Sequence, residues 1–194
     1  MLTETDILLR YLRDLREALF WKVDGLDDYD LRRPLTPTGT NLLGIVKHLA
    51  SVELGYFSEP CGRRQPVPTP WMGPDMGFEE DMYATADQSS QDILDLYRAA
   101  GENTEAAINE LSLDAPASVP WWSADKRDTT LRRLVVHIIT ETARHLGHVD
   151  ILREQIDGKA GMLERADNLP EADDGAWAAY RGTLQSIAES FRSG

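Results

Sequence analysis

Apolar residues return every three or four positions along five separate stretches of this chain, and no stretch alternates apolar with polar at the period of a strand. That pattern restricts the fold to packed α-helices. Between about residues 4 and 23, Ile7, Leu8, Tyr11, Leu12, Leu15, Ala18 and Leu19 make one stripe. Arg10, Arg13, Asp14, Arg16 and Glu17 fill the face expected to meet solvent. Thr3 or Thr5 can cap this helix, and Gly25 lies near its end. A second helix, from about Asn41 to Ser58, is apolar over most of its circumference and should be largely buried. A third is expected from Ser89 to Leu111, with Gly101 weakening it slightly. The fourth runs from about Thr129, capped by Thr129 or Asp128, to a stop at Asp157–Gly158. The last carries Trp177, Tyr180, Leu184, Ile187 and Phe191 on one stripe.

The expectation is an all-α chain: four long helices, with a shorter C-terminal helix packed outside them. The loop 32–40 is short enough for the first two helices to pack antiparallel. Residues 59–88 are not an ordinary connection, since five of the ten prolines fall between Pro60 and Pro74. This segment reads as a long crossover lying over the helices, with Trp71, Met72 and Phe78 to dock it.

At 194 residues the chain is one domain, 1–194, by length. Its 33 acidic and 20 basic residues leave a net charge of −13, which argues against nucleic acid and against an anionic membrane surface. One cysteine, Cys61, excludes an internal disulfide and points to a reducing, cytoplasmic setting. The first residues are charged throughout, unlike a signal peptide, and no apolar run reaches the length of a membrane span.

The chemistry concentrates on the fourth helix, in HIITETARHLGH. At about 100° per residue, His137, Glu141, His145 and His148 fall within an arc of roughly 80°, on or beside the core-facing side. A carboxylate and imidazoles placed against a core are costly unless paired or bound to metal. Glu141 and His145, four residues apart, can reach one ion from one helix. His145 and His148 offer a rival pair, because Glu141 and His148 stand about 10 Å apart along the axis and would not share an ion. His48, the one histidine outside this helix, sits in the apolar GIVKHLASVE and can supply a third ligand. Two histidines and one carboxylate would make an open catalytic zinc site. The plainer reading is a hydrogen-bonded core histidine beside an ion pair of Glu141 with Arg144 or His145. No Gly-rich phosphate loop and no Ser-His-Asp arrangement competes with these readings.

TGTNLLGIVKHLASVE together with WWSADKRDTTLRRLVVHIITETARHLGHVDILREQIDG resembles the DinB/YfiT-like metalloenzyme superfamily, and most closely its mycothiol-dependent, maleylpyruvate isomerase-like branch. The resemblance covers the chain from the first helix to Gly158. It implies a four-helix bundle of up-down-down-up topology holding a divalent metal, zinc or nickel. The ligand positions fall at His48, Glu141 and His145. Many relatives carry histidine at the first of the paired positions, where this chain has Glu141. A +2 ion beside one carboxylate keeps a positive charge and would favour a bound thiolate. The resemblance therefore implies an enzyme that activates a low-molecular-weight thiol such as mycothiol toward an electrophile, for S-transfer or isomerisation. His148 takes the catalytic proton-handling role in this reading, with His137 the other candidate, and Trp71, Trp121 and Trp122 wall the pocket. The rival is a non-catalytic metal-binding bundle, a stress-linked sensor or interaction protein. Exposed helix faces leave room for a homodimer.

Overall fold

The computed structural model describes residues 1–73 and 75–192, and these are mostly helical. Helix α1 spans Glu4–Val23, α2 Asp28–Arg32, α3 Leu42–Tyr56, α4 Ser90–Glu110, α5 Leu131–Asp157 and α6 Asp174–Ser190. Thr3 and Ser89 close capping boxes with Asp6 and Asp92, and Asn41 caps α3 by accepting from the Gly44 amide. Helix α5 ends where Gly158 turns left-handed, with φ of 80°. The short α2 lies inside the expected interhelical link, where Asp27 caps it.

Two strands that periodicity does not reveal, β1 (Pro116–Ser118) and β2 (Asp128–Thr130), pair antiparallel. They also correct the expected start of α5. Asp128 and Thr129 are strand residues, and Thr130 at the cap position makes no side-chain cap bond. The first amides of α5 donate instead to loop carbonyls, Leu131 to Ala115 at 3.0 Å and Arg132 to Leu113 at 2.8 Å.

Helix α3 packs mainly on α4, and α1 mainly on α5 rather than on α3. Glu4 pairs with Arg132 at one end of α1, while Arg153 donates to the Lys22 carbonyl at the other, at 2.6 Å. Helices α1 and α5 therefore run side by side in the same direction. Buried apolar residues form two clusters. One gathers Leu19, Leu43, Leu49, Tyr97 and Val149, the other Leu12, Phe57, Ile108, Leu134 and Ile138. Between them in chain position on α1, α4 and α5 lie the buried polar side chains Arg16, Thr104 and Thr142, and α3 adds Glu53 beside the same junction. Arg16, expected on the solvent face, is only 7% exposed. It pairs with Glu53, reaches Glu105 at 3.2 Å, and lies over Gly101, where an added Cβ would sit 3.2 Å from its Nε. Gly101 is thus the space that admits a guanidinium, not a weak point left in a helix.

The crossover docks in part as expected. The Trp71 indole donates to Ser51 at 2.8 Å, whereas Phe78 is exposed. A 3-10 turn at Glu80–Met82 packs on α3. Helix α6 departs from expectation: none of its residues is buried, and Tyr180, Leu184 and Ile187 of its apolar stripe remain exposed. Among the described residues no helix is long and apolar enough to cross a membrane.

Candidate metal centre

His48 lies on α3 amid the buried residues Ile45, Val46, Leu49 and Ala50. Glu141 and His145 stand one turn apart on α5, on the flank of the stripe that buries Ile138, Thr142 and Leu146. The helix packing brings the three together across 93 residues of sequence. Nε2 of His48 lies 3.5 Å from Oε1 of Glu141, and Nε2 of His145 lies 3.2 Å from the same oxygen. The three donor atoms sit within 4.8 Å of one another, and the two imidazole rings are 4.9 Å apart.

Each imidazole turns Nε2 inward, but their outer nitrogens differ. Nδ1 of His48 meets Oδ2 of Asp81, from the 3-10 turn of the crossover, at 2.6 Å. A carboxylate only accepts, so Nδ1 donates, and in the neutral ring the lone pair falls to Nε2. Nδ1 of His145 is buried without a hydrogen-bond partner among the described residues. Burial pulls the His48 pKa down, but Asp81 and Glu141 outweigh it, so it stands above the ordinary histidine value. Burial and the neighbouring His48 hold His145 below that value. Burial pushes Glu141 up, and the two imidazoles more than reverse it. Two imidazole nitrogens and one carboxylate oxygen, aimed at one point and short of one ligand, fit an open divalent-metal site.

The family model described as mycothiol S-transferase matches residues 7–158. The chain belongs to the mycothiol S-transferase family. A comparison with curated proteins finds no match. The span matched by the mycothiol S-transferase family contains His48, Glu141 and His145, together with the crossover that delivers Asp81.

The other histidines take separate places. His148 is exposed, its ring 5.3 Å from that of His145, at the outer edge of the cluster. His137 lies two turns along α5 in an aromatic group, edge-on to Tyr56 at 4.9 Å and to Trp122 at 5.6 Å. Trp122 donates to the Tyr56 hydroxyl at 2.9 Å, and Trp121, 57% exposed, reaches the same oxygen at 3.4 Å. Tyr56 and His137 sit on the same two helices as the metal-ligand candidates, each about 12 Å by helical rise from the histidine of its own helix, His48 and His145, while Trp121 and Trp122 come from the loop between β1 and β2. Sequence reasoning misses Asp81 and Tyr56. Asp81 lies in the acidic run EED, where nothing in the spacing separates it from its neighbours.

Proposed function

We propose that this chain is a divalent-metal-dependent enzyme that transfers the sulfur of a small thiol, mycothiol or a close analogue, to an electrophile. The metal is zinc or nickel, held by His48, Glu141 and His145. The observation that carries the reading is the convergence of those three donor atoms within 4.8 Å, in a family described as mycothiol S-transferase. The helix pairing also supports the up-down-down-up bundle. Helices α1 and α5 are parallel, and α3 runs against α5, because His48 faces Glu141 and His145 while Tyr56 faces His137.

A divalent cation in this site supplies positive charge that favours thiolate over thiol near neutral pH. The chain's own groups do the rest. Glu141 is the single anionic ligand, so the centre keeps net positive charge. Asp81 holds His48 with its Nε2 inward. His148, at the solvent edge, accepts the thiol proton on a ring nitrogen and passes it to water.

Metal content and turnover of a fluorogenic thiol-reactive electrophile with mycothiol test this reading. His48→Ala, Glu141→Ala and His145→Ala should each lose most bound metal and at least 100-fold in rate. His137→Ala should keep its metal. His148→Ala should keep near-stoichiometric metal and lose about 10²-fold in rate, within the range for a general base. If His148→Ala is empty and Glu141→Gln is loaded, the ligand set is His48, His145 and His148, and the proposal fails.

A further inference from the structure

The 3-10 turn that carries Asp81 is gripped residue by residue by one face of α3. Nζ of Lys47 donates to the Glu80 carbonyl at 2.9 Å and to the Tyr83 carbonyl at 2.8 Å. Its third donor goes to Oε1 of Gln88 at 3.2 Å, and the Trp71 ring covers it at 4.2 Å. Lys47 is 1% exposed, and its contacts match the donor capacity of an ammonium. Nδ2 of Asn41 donates to the Met82 carbonyl at 3.0 Å. Gly44 lets that same carbonyl press onto the helix: a Cβ there would lie 1.8 Å from the Met82 oxygen. Four consecutive residues, Glu80 to Tyr83, are therefore seated by Asn41, Gly44, Lys47 and His48. A buried lysine spent on loop carbonyls is a costly way to hold a surface segment, since the charge must leave water.

We propose that Asn41, Gly44 and Lys47 are positioning residues for the metal centre: they fix the turn so that Asp81 selects the Nδ1–H tautomer of His48 and aims its Nε2 lone pair at Glu141 and His145. This rests on the metal reading above, yet it concerns an arrangement that exists before any ion arrives. Outer carboxylates on metal-binding histidines typically account for 10–100-fold in affinity. Here that carboxylate comes from the crossover, so the seat of the crossover sets the quality of the site.

The experiment compares the full chain with Gly44→Ala, Lys47→Met and Asp81→Ala, and with Ser51→Ala as a control. Ser51→Ala removes the acceptor of the Trp71 indole but none of the contacts that Asn41, Gly44 and Lys47 make with the 80–83 turn. Long-range nitrogen–proton NMR of the metal-free imidazoles, at a pH where they are neutral, reads the His48 tautomer. Chelator competition reads zinc affinity. The wild type and Ser51→Ala should show His48 as Nδ1–H. The three other variants should show a mixed or Nε2–H ring, unchanged His137 signals, and zinc affinity 10–100-fold weaker. An Nδ1–H ring with wild-type zinc affinity in Gly44→Ala and Lys47→Met would overturn the proposal. Should either fail to fold, the other decides for the seat, and a retained Nδ1–H ring in Asp81→Ala overturns the proposal by itself, because that variant removes the side chain that contacts His48. If the wild type binds no zinc, the metal reading falls, and the tautomer comparison alone supports or overturns the positioning.

Discussion

Cys61 shows how a single side chain is kept out of the chemistry around it. Its thiol is half-buried, donates to the Tyr56 carbonyl at 3.3 Å, and is pushed up to about 11 by burial. At pH 8 roughly one Cys61 in a thousand is then a thiolate, against about one in four for a free cysteine. Iodoacetamide should modify the folded chain at least 100-fold more slowly than a free cysteine, and urea should abolish the protection. Modification at the free rate would show the thiol to be open. The sign for stability follows from the direction of the shift. The unfolded chain gives up this proton first, so the contribution is intact below about pH 9 and is lost as pH climbs toward 11. Among the site residues, Glu141 and His145 are legible because helical spacing alone puts them on one face. His48 is legible because an imidazole in an apolar helix needs a reason. Asp81 is not, since its meeting with His48 depends on how an aperiodic crossover settles 33 residues downstream.

The long helices are legible to within a few residues, since each carries a full apolar stripe and most carry a capping residue. The β1–β2 hairpin is not, because three-residue strands are too short to display alternation. Nor is the polar layer that crosses α1, α3, α4 and α5. Seen on one helix, Arg16 belongs to a charged face. Only the approach of α3 and α4 shows that it is enclosed. This layer yields a prediction about how the helices hold together. Glu53→Ala strips Arg16 of its buried partner and should cost about 3–5 kcal/mol in urea unfolding. Replacing both, as Arg16→Met with Glu53→Leu, should cost much less. A Glu53→Ala loss below about 1 kcal/mol would mean that Glu105 alone satisfies the guanidinium.

For the molecule as a whole, the family match ends at residue 158 and no residue of α6 is buried, so the two boundaries agree that α6 stands outside the packed helices. A chain ended after residue 172 should melt within about 2 °C of the full chain, the shift expected for less than about 1 kcal/mol at this size, and bind the same metal. A drop of more than about 5 °C would show that α6 is packed in solution. The architecture also bears on the order in which the molecule assembles. Helix α1 takes as its main partner α5, which leaves the ribosome more than a hundred residues later. Until then Leu9 and Leu12 lack the part of their cover that α5 supplies, and His48 has neither Glu141 nor His145 to face. Closing so long a loop comes late and slowly compared with forming the helices themselves. On the proposed ligand set, metal capture would therefore time the final step: a nascent chain that holds α1 to α4 but lacks α5 can be helical, yet it has only His48 of the three ligands.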